Sequence, residues 1–166
     1  MNLIIASTLK TLQKTNSLLF NLTDEQLSDA SVSPYYSSIG SHLRHILDFY
    51  DCILDSKDAY VDLTARKRDL DVETKCQSAE CYLESVVSRL QSLSTNVNDR
   101  IIVLDDLGEG KMEIEYTLAS LLAQANSHTI HHYAIISYIL DRLDITINDA
   151  TFGYNPSTPR PKVSLN

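Results

Sequence analysis

The sequence predicts an all-α fold: a four-helix bundle with a small β-hairpin before the last long helix and an extended C-terminal tail. The 166 residues are expected to form a single domain, with 143–166 as the tail packed on it. Three observations predict this. Four long segments repeat apolar residues at helical spacing. Only four glycines and four prolines are present, too few punctuating residues for a many-stranded sheet. One segment, just before the last helical run, changes to β-branched and alternating character.

The first helix is expected over residues 2–20, where Leu3, Ile4, Leu9, Leu12, Leu19 and Phe20 form the stripe. Leu22 to Leu27 has a capping-box-like start and room for one short turn. Ser31 to Ser37, with Pro34, reads as a loop. The second helix starts near Ser37 or Ser38 and runs to about Asp55, with Ile39, Leu43, Ile46, Leu47, Tyr50, Ile53 and Leu54 on its stripe. Residues 56–70 are polar and mixed and read as an irregular connection. The third helix covers about 72–93, from Val72 through Cys76, Leu83 and Val86 to Leu93.

Ile101 to Leu104 is then β-branched and apolar, and Met112 to Tyr116 alternates apolar with acidic residues. Gly108-Glu109-Gly110 lies between them, which makes a hairpin with a loose loop. Thr117 caps the fourth helix, which extends to about Arg142. The tail that follows holds three of the four prolines, and Phe152 to Pro159 within it is expected to be extended.

Composition excludes several functions. The formal charge is −8 and charged residues make up 22% of the chain. Phosphate binding needs clustered Lys and Arg, and Arg66-Lys67-Arg68 is the one compact basic cluster, flanked by Asp62 and Asp69. Nucleic acid is therefore not expected as a partner. Cys52, Cys76 and Cys81 form neither a C-x-x-C pair nor an even set, so a disulfide framework and a cysteine-rich zinc site are both disfavoured. The N-terminus lacks the pattern of a signal peptide, and no charge-free apolar run reaches the roughly 20 residues of a membrane span. A reducing, cytoplasmic setting is the expectation.

The chemistry concentrates in histidine. Ser127-His128-Thr129-Ile130-His131-His132-Tyr133 holds three of the five, and His42 and His45 lie on the second helix. His128 and His132 are one turn apart. On a wheel of about 100° per residue, both fall among Leu121, Ala125, Ile136 and Ile139, on the buried side. His131 falls at the rim beside Gln124 and Tyr138. A lone buried histidine is usually a hydrogen-bonded core residue, but two on one face must each find partners. With a third imidazole from a facing helix they make a divalent-metal site. The wheel places His42 nearer the apolar stripe of the second helix than His45, and periodicity leaves that third ligand open between the two.

The run Ser38-Ile39-Gly40-Ser41-His42-Leu43-Arg44-His45-Ile46-Leu47-Asp48, followed some eighty residues later by His128-x-x-x-His132, resembles the DinB/YfiT-like superfamily of small metal-binding four-helix bundles. The superfamily pattern is a Trp-Ser-Ile-Gly-like start, a histidine seven residues after the serine, and H-x-x-x-H on the last long helix. Tyr36-Ser37 stands here where a tryptophan is common. The resemblance implies His45, His128 and His132 as the metal triad, with His42 and His131 as neighbours. It implies zinc or nickel as the divalent ion and a low-molecular-weight thiol, or another small molecule, as the ligand.

Members of the superfamily are similar to metal-dependent thiol S-transferases. A metal- or small-ligand-binding bundle without turnover, connected with stress, is the alternative. A metal-dependent hydrolase is a weaker one, because no general base stands out. A homodimer through a helix face suits such a bundle.

Asp48, one turn from His45, is a candidate to accept a ring N–H, or else a solvated surface residue. Asn126 and Gln124 suit the rim. Tyr60, Arg66 and Arg68 are candidates to hold an anionic substrate group, although solvation is the commoner role of loop charges. The Phe152–Pro159 segment has no counterpart in the superfamily pattern and is expected to line the pocket.

Overall fold

Four long helices frame the fold, and each begins where the sequence supplies a cap or a partner does. The computed structural model describes residues 2–159. α1 (Leu3–Leu19) starts at Asn2, whose Oδ1 accepts the Ile4 N–H at 2.9 Å. α2 (Asp24–Ser28) is the expected short turn, closed by a capping box between Thr23 and Gln26. α3 (Ile39–Leu54) is capped by the Ser38 hydroxyl, which accepts the Ser41 N–H at 3.0 Å. α6 (Leu118–Arg142) begins with a Thr117–Ser120 capping box. Each cap satisfies backbone N–H groups that the first helical turn leaves unpaired.

The region expected as one third helix is two. α4 (Leu70–Thr74) ends and α5 (Cys76–Gln91) begins around Lys75, whose backbone is extended. The Cys76 N–H donates to Asp24 Oδ1 at 2.8 Å, a cap supplied by α2 across 52 residues of sequence. No local pattern announces such a cap.

α1 packs on α5 and α6, and α3 packs on the same two. His45 meets His128 while His42 meets His132, so α3 and α6 run antiparallel. Tyr82 meets Asp48 and Arg89 meets Asp51, so α3 and α5 run parallel. Leu12, Leu18, Ile39, Leu43, Leu47, Leu83, Val86, Leu121 and Ile136 fill the shared core. Among the described residues the fold is thus mostly helical, with six helices and a small sheet.

That sheet has three strands in the order β1-β2-β3. β2 (Arg100–Asp106) and β3 (Lys111–Thr117) form the expected hairpin, from Arg100 opposite Thr117 to Asp106 opposite Lys111. Gly108 and Gly110 both take φ +107, and both N–H groups donate to Asp106 Oδ1. β1 (Tyr60–Asp62) corrects the expectation for residues 56–70: it pairs parallel to β2, with Val61 opposite Val103. Val61 and Leu63 are buried, and the Leu63 N–H donates to the Leu104 carbonyl at 2.9 Å. The connection after α3 is therefore anchored to the sheet before it returns across the helices.

The tail also departs from expectation. It is folded in turns instead of extended, with the Phe152 N–H on the Asp149 carbonyl and the Thr158 N–H on the Asn155 carbonyl. Phe152 is buried and stacks on Tyr133 at 4.6 Å between ring centroids. Lys14 of α1 pairs with Asp149 at 3.1 Å and bonds Thr151. Gly153 (φ +77) lies so close that a Cβ there would meet Ser137 Oγ at 2.6 Å. The tail closes over α1 and the C-terminal half of α6, and the cavities it helps to line contain no triad histidine. It does not line the histidine site as expected. Residues 160–166 of the expected tail lie outside the described residues.

Candidate metal centre

α3 and α6 bring five imidazoles together because they cross antiparallel with His42 and His45 facing the H-x-x-x-H turn. His45 Nε2 lies 2.8 Å from His128 Nε2, which lies 3.1 Å from His132 Nε2. All three residues are half-buried, and one nitrogen of each falls within 4.8 Å of the others. Three nitrogens on one zinc-like ion, with bonds of about 2.0–2.1 Å, sit roughly 3 Å apart, so the cluster has the right size. Three histidines are positioned to bind a metal.

Protonation supports the fit. Burial, followed by the neighbouring His128, lowers the His45 pKa to about 4. Burial and then His128 and His45 lower that of His132 to about 3. His128 is also lowered, by burial first and then by His131 and Arg66. At neutral pH these rings are uncharged, and an uncharged ring carries the lone pair that a metal needs. A convergence of three such nitrogens is hard to satisfy by hydrogen bonding alone, since His128 Nε2 can give only one proton to its two neighbours.

His42 sits one step outward. Its Nδ1 lies 2.8 Å from His132 Nδ1, and its Nε2 lies 2.8 Å from Ser37 Oγ. If His132 coordinates through Nε2, its Nδ1–H donates to His42 Nδ1 and the His42 Nε2–H donates to the Ser37 hydroxyl. The chain of donors is self-consistent and of the kind that orients metal-bound imidazoles. His131 is exposed, at the rim where the wheel placed it.

The wheel's preference for His42 over His45 has a physical explanation. α3 touches α2, α4, α5, α6 and β1, and 11 of its 16 residues are buried. Its mean apolar direction therefore points at the whole core and not at α6.

Asp48 is corrected on both of its expected roles. It is buried at 1% exposure, so it is not a solvated surface residue, and it touches no histidine. Its carboxylate accepts from Arg44 at 2.9 Å, the Tyr82 hydroxyl at 3.1 Å and the Arg68 N–H at 3.3 Å. Of the loop candidates for an anionic group, Tyr60 donates instead to Glu113 on the hairpin and Arg68 is exposed. Arg66 reaches the triad, with Nη1 3.4 Å from His45 Nδ1. Phe49, whose ring centre is 5.4 Å from that of His128, closes the apolar side. Phe49 was not singled out in the sequence, and Ser37 was read only as a loop end or helix start and as part of the departure from the tryptophan position. The α3–α6 crossing is what places both beside the histidines.

No helix among the described residues is long and apolar enough to cross a membrane. One curated relative, the type I cytoskeletal keratin 9 of Mus musculus, is 29% identical over 142 residues, which is 81% of this chain. The chain spans 19% of that keratin's length, and the likeness adds nothing to the histidine site. A family model described as the DinB family matches residues 1–151, a span that includes all five histidines and every helix and strand described above. On that match the chain belongs to the DinB family.

Proposed function

We propose that this protein is a divalent-metal-binding member of the DinB family, a four-helix bundle acting as one domain, in which His45, His128 and His132 hold zinc or nickel. The observation that carries the proposal is the convergence of three uncharged imidazole nitrogens at 2.8 and 3.1 Å. Three neutral ligands leave a coordination position for a small molecule. A metal held there supplies Lewis acidity, enough to keep a coordinated thiol in its thiolate form near neutral pH.

The activity we propose is thiol S-transfer. The thiol releases its proton to solvent, its sulfur forms a bond to an electrophilic carbon, and the leaving group departs with the electron pair of the broken bond. The triad and the His42–Ser37 chain position the sulfur for that attack, and Phe49 keeps water from one side. Among the described residues no carboxylate contacts the triad, so a hydrolase would lack a general base. The same fact favours non-catalytic ligand binding as the second reading. The acidic chain and the absence of a spanning helix agree with a cytoplasmic protein that does not bind nucleic acid.

A transfer assay separates the two readings. Metal-loaded wild type and His132→Ala are compared across several small thiols and electrophilic acceptors. Wild type is expected to accelerate at least one pair by more than tenfold over the variant. Equal rates across the panel would leave the binding role and remove the transferase.

A further inference from the structure

Three described arginines are not exposed: Arg44, Arg66 and Arg89. Arg44 is held by Asp48 and Glu73, and Arg89 by Asp51 and Asp55. Arg66 has no carboxylate among the described residues. Its Nε donates to the Leu63 carbonyl at 3.1 Å, and its Nη1 faces His45 Nδ1 at 3.4 Å. It is not a stray loop charge. β1 and the buried Leu63 pin the start of the loop, Asp62 Oδ1 accepts the Thr64 N–H and hydroxyl, and the loop then delivers the guanidinium to the triad.

The contact with His45 is incompatible with metal at Nε2. A neutral imidazole has one N–H. With a metal on Nε2 the proton must sit on Nδ1, which then faces the Arg66 N–H as a second donor. Arg66 would lose the acceptor it now has and would need another within reach. The charge balance asks for the same thing, since three neutral imidazoles leave a dication uncompensated and Arg66 adds a further positive charge. A planar guanidinium matches the two oxygens of a carboxylate or phosphate.

We propose that Arg66 is the anion-recognition residue of this centre, and that the small molecule bound at the triad carries an oxyanion, carboxylate or phosphate, gripped by Arg66 beside the metal. This rests on the metal reading above and narrows its ligand from any small thiol to an anionic one.

The test uses the full chain loaded with cobalt(II), whose absorption spectrum reports ligands entering the metal's coordination sphere. Two thiol probes, 3-mercaptopropionate and 2-mercaptoethanol, are titrated into wild type, Arg66→Gln and Arg66→Lys. Inorganic phosphate is titrated as a third probe. Charge-assisted bonds of this kind contribute about 10- to 100-fold in affinity. Wild type is expected to bind 3-mercaptopropionate or phosphate at least tenfold more tightly than Arg66→Gln does, with part of the loss restored in Arg66→Lys. Binding of 2-mercaptoethanol should be the same in all three.

The probe that depends on Arg66 tells carboxylate from phosphate. If every variant takes up cobalt and binds all three probes as wild type does, the role of Arg66 is overturned and the metal centre stands. If wild type takes up no cobalt, the metal reading itself falls, and this one with it.

Discussion

At the scale of single residues, three histidines are positioned to bind a metal and a fourth stands behind them. His45 and His42 lie one turn apart on α3, yet His45 reaches His128 while His42 reaches only the far nitrogen of His132. On the proposed assignment, removing His45 takes away a ligand, whereas removing His42 takes away the acceptor of the His132 Nδ1–H. Loss of such an outer partner typically costs 10- to 100-fold in metal affinity, about 1.4 to 2.7 kcal/mol. His42→Ala is therefore expected to bind zinc more weakly by that factor and still reach one equivalent at saturation, while His45→Ala falls short of it. Competition titration against a chelator checks both, and full occupancy in His45→Ala with loss in His42→Ala would reverse the assignment. The placement of His128 and His132 was legible in the sequence because they are one turn apart on a helix and share a side with Leu121, Ala125, Ile136 and Ile139. His45 was legible only through its spacing from Ser38, because α3 is buried on too many sides for a wheel to point at one neighbour.

At the scale of elements, α3 does two jobs from opposite flanks. One flank carries the histidines toward α6. The other carries an ionic seam toward α5 and the loop after β1, where Asp51 is 4% exposed and is held by Lys67 at 2.8 Å and Arg89 at 2.6 Å. Burial alone would raise the Asp51 pKa, but hydrogen bonds from Lys67 and Arg89 outweigh it and hold the carboxyl below its ordinary value. A depressed folded pKa means the unfolded chain binds more protons. The stabilisation is thus complete above the unfolded value of about 3.9 and is lost as pH falls through the folded value. Denaturant titrations between pH 7 and pH 2 should show a steeper acid loss in wild type than in Asp51→Asn; equal slopes below about pH 4 would remove Asp51 from the account. The long helices and the β2–β3 hairpin were readable from local period and turn residues. β1 was not, because three residues carry no alternation to detect and its pairing with β2 comes from about 40 residues away. The α4–α5 break was hidden for a related reason, since its cap is Asp24.

At the scale of the whole molecule, the tail and the histidine centre occupy separate regions among the described residues. Phe152 covers Tyr133, whose hydroxyl donates to the Thr11 carbonyl at 3.2 Å, so the tail seals α1 against α6 on the side away from His45. The turns of the tail follow from Asx contacts such as Asp149 with Thr151, and its proline content had suggested an extended chain instead. Phe152→Ala should lower the unfolding midpoint, at a cost of about 3–5 kcal/mol for a buried aromatic, and leave metal stoichiometry unchanged. That separation makes it the control for the central claim, that α3 and α6 together form a divalent-metal centre. The most direct measurement is elemental analysis of wild type, Phe152→Ala and His128→Ala after dialysis against zinc or nickel and removal of free ion. One ion per chain is expected in the first two and none in the third. A wild-type protein that retains no metal and gains no thermal stability from either ion would contradict it.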